Sequence, residues 1–270
     1  MAELRNIRWG EFAKSLLEKD SLSSLRKSRS LQWWLTVGFR KNGYMLLDDL
    51  DELVLEYKGV KFYPDLLNYP RMFEAWDRYR IDAVKEGDIV LDLGANVGSY
   101  SLPIAKRAKQ VYAVEPLFYH GLCSNIALNR LSNVESLKYA IGTEEVDCQE
   151  YKGKCEAKSF GELLELLGRQ SYDVIRMDIG GEEWNIPPEV ALFNEGPRVL
   201  EIEFHLPNSK ASWNNWKIWL EDEGYGYLAR WSKHRHWLYL SAEKGWDVKK
   251  EVQLKDGSFR GGSLELWKAQ

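Results

Sequence analysis

Short apolar runs alternate with amphipathic segments over residues 87 to 206. The segments between the runs have the spacing of helices, and each run is short enough for a strand. The apolar runs read IVLDLG, QVYAVEP, VESLKYAIG, YDVIRMDIG and RVLEIEFH. Near-continuous apolar strands that alternate with helices are typical of a parallel sheet covered on both faces. The pattern therefore predicts an α/β fold.

The flanks of this region follow other patterns. Residues 1 to about 45 hold spaced apolar positions among basic ones, which predicts amphipathic helices, and LVLEYKGVKFYP predicts a hairpin. Towards the C-terminus, SWNNWKIWLEDEGYG predicts a helix with its tryptophans packed on the sheet, YGYLARWSKHRHWLYLSAE predicts two strands, and EVQLKDGSFRGGSLELWKAQ predicts a further hairpin. We expect an N-terminal helical and hairpin extension over residues 1–80, capping the substrate side, and a main domain over residues 81–270.

Composition narrows the function classes only slightly. The formal net charge of -4 over 270 residues gives no overall attraction to nucleic acid or anionic membrane. Cys123, Cys148 and Cys155 include no CxxC pair, so neither a zinc site nor a redox motif is indicated, and no metal is expected. The N-terminus lacks the apolar core of a signal peptide, and no apolar run approaches a membrane span of roughly 18 residues. A cytoplasmic location without membrane contact is expected.

The main candidate ligand site lies in VLDLGANVGSYSLPIAKRAKQVYAVEP, residues 90 to 116. Gly94 and Gly98 follow the first strand of the α/β region, where glycine lets the backbone approach an anionic or carboxylate-bearing ligand. The spacing does not supply the G-x-G-x-x-G of a dinucleotide site. With Asp92 and Asn96 it gives D-x-G-x-N-x-G, a variant of the loop of S-adenosylmethionine-dependent methyltransferases. Glu115 ends the next strand, where an acid accepts hydrogen bonds from ribose hydroxyls. The alternative is a plain tight turn beside a solvated acid.

The order of these motifs resembles that of the FkbM-type methyltransferases. The segments that carry the resemblance are DIVLDLGANVGSYSLPIA, VYAVEP, SFGELLELL, VIRMDIGGEE and VLEIEFH, over residues 87 to 206. The resemblance implies a Rossmann-like class I methyltransferase fold with a mostly parallel, seven-stranded sheet and helices on both faces. It also implies S-adenosyl-L-methionine as methyl donor and a hydroxyl oxygen of a small molecule or glycan as acceptor.

Site residues follow from the same resemblance. The cofactor-binding set would be Asp92, Gly94, Ala95, Asn96, Gly98, Glu115, Pro116, Ile141 and Asp178. The candidates for the base that takes a proton from the nucleophile are Asp178, Glu182, Glu183 and His205. The family's K-I-D-V-E-G-x-E reads RMDIGGEE here, so Gly180 replaces its first glutamate and Glu182 is the candidate substitute. Alternatively, Asp178 caps a helix and His205 is structural.

RNA is the less favoured alternative partner. Basic positions that include Arg26, Lys27 and Arg29 would contact phosphates in an RNA methyltransferase or RNA-binding module, although a solvated helix face explains them equally. LPIAKRAKQVYAVEP is also similar to a stretch of archaeal-type tRNA guanine-N1 methyltransferases. The N/D-P-P-Y/F motif of exocyclic-amine methyltransferases is replaced by DIGG, which disfavours methylation of a base amine. A degenerate cofactor binder is a third hypothesis, and the oligomeric state stays open.

Overall fold

The structure is a computed structural model that describes residues 45–47, 54–57, 59–63, 78–142, 146–148, 153–168, 171–186, 196–205, 210–232 and 237–254. The strands in these ranges are β1 (Met45–Leu47), β2 (Val54–Tyr57), β3 (Val60–Phe62), β4 (Ile89–Leu93), β5 (Gln110–Val114), β6 (Val134–Leu137), β7 (Ala140–Ile141), β8 (Val146–Cys148), β9 (Gly153–Cys155), β10 (Ala157–Lys158), β11 (Val174–Met177), β12 (Val199–His205), β13 (Tyr225–Trp231), β14 (Trp237–Lys244) and β15 (Lys249–Gln253). The helices are α1 (Ser101–Ala105), α2 (Tyr119–Leu128), α3 (Phe160–Leu167) and α4 (Lys210–Asp222).

The main sheet has the strand order of a class I methyltransferase. Its eight strands lie in the order β15-β13-β14-β12-β11-β4-β5-β6. β4 pairs in parallel with both β5 and β11, and β11 with β12, while β14 runs antiparallel between β12 and β13. The Rossmann-like fold is thus confirmed. The sheet has one strand more than the seven expected, because β15 adds to β13 in parallel where the sequence predicts part of a hairpin.

Two apolar layers cover the faces of this sheet. Leu91, Ile175 and Ile202 belong to a large buried cluster on one face. Val90 and Val174 belong to a second buried cluster on the other face. Because successive side chains of a strand point to opposite faces, the near-continuous apolar runs of β4 and β11 supply both clusters. Burial of both faces holds the strands of the sheet in place, and with them the carboxyl ends at which the site lies.

The helices show why these segments fold locally. α3 begins at a capping box in which the Ser159 side chain accepts from the Glu162 amide, and the Glu162 carboxylate accepts from the Ser159 amide. In α4 the tryptophans Trp213 and Trp216 are buried among core residues, whereas Ile218 is exposed. The prediction that one tryptophan face of this helix packs on the sheet is therefore confirmed.

The predicted hairpin near residue 59 is also confirmed. β2 and β3 pair in antiparallel fashion around a turn that contains Gly59. The side chains of Asn125 on α2 and of Asn129, directly after α2, accept hydrogen bonds from the Tyr63 and Lys61 amides at 2.8 and 2.9 Å. These two bonds attach the small β1-β2-β3 sheet to the main domain. The division into domains at residue 80 stays a prediction.

One further predicted strand differs from the structure, and several predicted elements lie outside the described residues. The single strand expected over VESLKYAIG is divided into β6 and β7, and β7 pairs with β10 outside the main sheet. The N-terminal helices, the helix expected at PPEVALFNEG and the last hairpin after residue 254 lie outside the described residues. Across the ranges that the structure describes, no helix combines the length and apolar character needed to cross a bilayer.

Candidate active site

The loop after β4 bends towards β5 through Gly94. The Gly94 and Ala95 amides both donate to the Val114 carbonyl, at 2.9 and 3.0 Å. Gly94 has φ +81, and an added Cβ would lie 1.9 Å from the carbonyl oxygen of Asp178. Only glycine therefore fits between the loop and the end of β11. At Gly98, φ is +95 and a Cβ would lie 2.7 Å from Leu102, so the second glycine permits the close start of α1.

Asp92 lies beneath this loop. Its fully buried carboxylate accepts from the Ser101 hydroxyl at 2.5 Å and from the Arg176 guanidinium at 3.1 Å. Burial raises the pKa of Asp92, against the stabilising charge of Arg176 and the hydrogen bond from Ser101. Arg176 also donates to the Gly94 carbonyl at 2.7 Å. Asp92 thus anchors the loop from below.

Glu115 lies beside the loop at the end of β5. Its carboxylate accepts from the Asn96 amide at 2.7 Å, the Leu117 amide at 2.7 Å and the Phe118 amide at 2.9 Å. Burial raises the pKa of Glu115, and these three backbone hydrogen bonds oppose the rise. Because a carboxylate has about four acceptor positions, capacity remains for a ribose hydroxyl. The chemistry of this buried acid beside the glycine loop fits a nucleoside such as that of S-adenosylmethionine.

The other predicted cofactor residues line the same end of the sheet. Ala95 and Ile141 are buried. Asn96 has φ +52, and its side chain accepts from the Val97 amide at 2.7 Å. The Pro116 carbonyl accepts from the Cys155 thiol at 3.6 Å. The residues of the loop therefore hold its shape through their own hydrogen bonds, and their contacts with the cofactor stay predictions.

Three of the four predicted catalytic residues come together at the ends of β11 and β12. The Nδ1 atom of His205 lies 3.1 Å from Glu183, and its Nε2 atom lies 3.9 Å from Asp178. Glu183 is fixed because it accepts from the amides of Ile179 at 2.7 Å and Gly181 at 2.8 Å. Glu182 instead accepts from the Asn185 side chain at 2.9 Å.

The sequence analysis missed three residues of this group. The Arg176 guanidinium lies 2.7 Å from the Oδ2 atom of Asp178 and 4.5 Å from the centre of the Tyr79 ring. The Tyr79 hydroxyl lies 3.3 Å from Asp178 Oδ2 and 3.2 Å from the Oε2 atom of Glu203. Glu203 is two residues before His205 on one strand and thus on the same face, which is a signal that the sequence contains.

The group concentrates charge in a partly buried site. Burial, reinforced by the charge of Asp178, raises the pKa of Glu203 to about 7 against the charge of Arg78. Burial acts against a charged imidazole at His205, but the hydrogen bond and charge of Glu183, with the charges of Asp178 and Glu203, outweigh it. They raise the pKa of His205 to about 9. In this arrangement Asp178 and Glu203 flank a positive charge at neutral pH.

Asp178 belongs to both parts of the site. Its backbone carbonyl contacts the glycine loop, and its side chain belongs to the group around His205. Ligands of open α/β sheets bind beyond the carboxyl ends of the strands, and all these residues lie there. The arrangement can hold a nucleoside at the loop and remove a proton from a second substrate at Asp178 or Glu203.

Comparison with known proteins finds matches to the part of the chain that contains the glycine loop and Glu115. Residues 58–160 match the family model of the TRM5/TYW2 methyltransferase domain. The chain is 47% identical over 53 residues to a tRNA(Phe) (4-demethylwyosine(37)-C(7)) aminocarboxypropyltransferase of Methanocaldococcus jannaschii, which is 18% of this chain and 21% of that protein. It is 31% identical over 93 residues to the tRNA (guanine(37)-N(1))-methyltransferase Trm5b of Pyrococcus abyssi, 32% of this chain and 28% of that protein.

The chain therefore spans less than a third of the length of these relatives. Among solved structures, it is similar to TYW2 of M. jannaschii in complex with AdoMet, with 19% identity and a TM-score of 0.49 over 74% of this chain and 87% of that chain.

These findings correct two expectations. The resemblance to the FkbM-type methyltransferases is wrong, because the matching family model is that of TRM5/TYW2. A small-molecule or glycan acceptor, with RNA as the less favoured partner, is wrong as well, because the relatives above are named as tRNA-modifying enzymes. The expected enzyme class and cofactor are confirmed. The chain carries a methyltransferase domain of the class I fold, and S-adenosylmethionine is its cofactor.

Proposed function

We propose that this protein transfers the methyl group of S-adenosylmethionine to tRNA. The observation that carries the proposal is the match of residues 58–160 to the TRM5/TYW2 methyltransferase domain. Two relatives over short stretches are named as tRNA-modifying enzymes, one of them a methyltransferase. The basic positions Arg26, Lys27 and Arg29 supply charges of the kind that bind phosphates, and a tRNA acceptor agrees with the expected cytoplasmic location.

The site divides the work between its two parts. When bound, S-adenosylmethionine supplies a methyl group that is already activated for transfer. Glu115 accepts from the ribose, and the loop at Gly94 positions the donor against the end of β11. Asp178 takes up the proton that the nucleophile releases, while Arg176 holds its Oδ2 atom at 2.7 Å. Positioned proton transfer of this kind contributes about 10²- to 10⁴-fold to a rate.

The turn after β11 leaves room for an acceptor nucleotide. Gly180 and Gly181 have φ +75 and +123, and among the described residues no atom lies within 4 Å of an added Cβ at either position. This open turn lies directly after Asp178. The turn itself therefore places no side chain between Asp178 and an incoming acceptor.

The test uses the purified full chain, tRNA transcripts without modifications, and S-adenosylmethionine labelled either in the methyl group or in the carboxyl group. The proposal predicts methyl label in tRNA and no label in a ribosomal RNA fragment or in reactions without RNA. Transfer of the carboxyl label would instead identify an aminocarboxypropyltransferase. The proposal fails if tRNA acquires no methyl label while the protein binds the cofactor normally. Glu115→Ala serves as the variant with weakened cofactor binding.

A further inference from the structure

Three ligand atoms converge at the ends of β11 and β12. They are Oδ1 of Asp178, Oε1 of Glu203 and Nε2 of His205, and all lie within 4.8 Å of one another. The Nε2 atom is 3.9 Å from each of the two carboxylates. A hydrogen bond from an imidazole nitrogen needs a shorter distance of about 2.7 to 3.2 Å. The three atoms therefore surround a point without bonding one another.

The second polar atom of each side chain is already engaged. Asp178 Oδ2 accepts from Arg176 at 2.7 Å, and Glu203 Oε2 accepts from Arg78 at 3.0 Å. The Nδ1 atom of His205 lies 3.1 Å from Glu183, which two backbone amides hold in place. These contacts orient one uncommitted atom of each side chain towards the same point. A carboxylate bonded to the far nitrogen of a histidine is the usual outer partner of a metal-binding imidazole.

Burial and charge make the convergence more than a surface cluster. The Glu203 side chain is only 5% exposed, and within the described ranges its Oε1 atom has no hydrogen-bond partner. The carboxylates around the point are those of Asp92, Asp178, Glu183 and Glu203, whereas the guanidinium groups are those of Arg78 and Arg176. One negative charge thus remains uncompensated beside the His205 imidazolium, and two remain once the imidazole gives up its proton to bind an ion. A buried acid in such surroundings needs a cation.

We propose that Asp178, Glu203 and His205 bind a divalent first-row transition-metal ion. Imidazole together with carboxylate is a donor set that suits manganese, iron or zinc. Ligands on one such ion, each at about 2.0 to 2.2 Å from it, lie within about 4.4 Å of one another, so the observed 3.9 Å separations require little movement. The protein supplies three ligands, and a bound ion would compete with the proton from the nucleophile for the Asp178 carboxylate. The sequence gives no CxxC or histidine-pair signal for this site.

This inference does not depend on tRNA as acceptor, because the ion is bound by the protein alone. The test is a titration of the full chain, first with EDTA and then after its removal with Mn²⁺, followed by electron paramagnetic resonance. Zn²⁺ is titrated by calorimetry, with Mg²⁺ as a comparison ion. We expect binding of a single Mn²⁺ or Zn²⁺ per chain. In Glu183→Gln, where the outer partner is changed, affinity falls by about 10- to 100-fold.

The ligand variants give the sharper result. His205→Ala and Asp178→Asn are expected to lose the ion, while the matched controls His120→Ala and Glu165→Gln, which change exposed side chains away from the site, keep it. Circular dichroism establishes that each variant is folded. If His205→Ala does not fold, the ¹⁵N chemical shift of His205 Nε2 in the unaltered chain must move on addition of Zn²⁺. Equal binding by His205→Ala and His120→Ala overturns the proposal, and so does the absence of a bound ion in the unaltered chain. In either case the His205 imidazolium would be the cation between Asp178 and Glu203.

Discussion

The two halves of the site are built by different means. In the cofactor half, residues 58–160, a backbone loop and a single acid form the site, and this half matches a known family model. In the proposed acceptor half, mostly residues 161–254, charged side chains at the ends of β11 and β12 form a network around His205, which Arg78 and Tyr79 join from the first range. Backbone geometry needs few particular side chains, whereas an ion-pair network needs all of its members. In the proposed function, the first kind of site holds the donor and the second contacts the acceptor.

The largest expected effect comes from the contact that joins the halves. Gly94→Ala places a methyl group against the Asp178 carbonyl at a positive φ, so both halves are disturbed. We expect a loss of stability on the order of 3 to 4 kcal/mol and no cofactor binding, measured by thermal melting and calorimetry. Gly161→Ala is the control, since it lies in α3 with open space and gains helix propensity. Equal behaviour of the two variants would mean that the halves do not depend on this contact.

Asp178→Asn should affect the acceptor half of the site and leave the cofactor half intact. The substitution removes the carboxylate beside His205 but leaves the backbone contact with the loop. The rate of tRNA methylation should fall about 10²- to 10⁴-fold, while the Kd of S-adenosylmethionine stays nearly constant. Asp82→Asn, an exposed acid on the surface, should leave both quantities unchanged. A Kd that rises as much as the rate falls would contradict the assignment of Asp178 to the acceptor half.

Glu115→Ala should affect the cofactor half of the site and leave the acceptor half intact. It removes the acceptor for the ribose and for three backbone amides, so donor binding should weaken by roughly 10- to 100-fold, as expected for hydrogen bonds to a charged group. Metal binding at His205 should be retained. Calorimetry with S-adenosylmethionine measures the change, and Glu135→Ala, an exposed acid on β6, is its control. An unchanged affinity in Glu115→Ala would exclude this acid as the ribose ligand.

The smallest effect concerns the boundary between the halves. Ser159→Ala removes one hydrogen bond of the capping box of α3 and should cost about 1 kcal/mol of stability. In a chain of this size the melting temperature should fall by about 2 to 4 °C. Cofactor affinity should not change, because the lost hydrogen bond joins Ser159 to Glu162 within the first turn of α3. Ser124→Ala in α2, whose hydroxyl donates within its own helix, should be nearly neutral.

The donor side could be predicted from the sequence because its determinants are local. Gly94, Gly98 and Asn96 lie within one short loop, and Glu115 ends the next strand. The same locality explains why the sequence was assigned to the wrong methyltransferase family. A loop that binds S-adenosylmethionine serves many acceptors, so DIVLDLGANVGSYSLPIA cannot distinguish one group of methyltransferases from another.

The acceptor side depends on long-range contacts. Tyr79 reaches Asp178 and Glu203, which are 99 and 124 residues away along the chain, and no local pattern indicates such a pair. Glu203 could have been predicted from the sequence, because it lies two residues before His205 and therefore on the same face of β12. Arg176 could have been predicted in the same way, because it lies two residues before Asp178. A charged residue inside an apolar strand is a signal of this kind, because it needs a buried partner.

Arg176 has a thermodynamic consequence for the enzyme. One guanidinium binds Asp92 beneath the donor loop, the carbonyl of Gly94 within it, and Asp178 beside the acceptor. A ligand that shifts any of these groups changes the energy of the other two. Binding of donor and acceptor should therefore be linked, and linkage is reciprocal. If tRNA is the acceptor, as proposed, it must alter the affinity for S-adenosylmethionine by the same factor as the donor alters the affinity for tRNA.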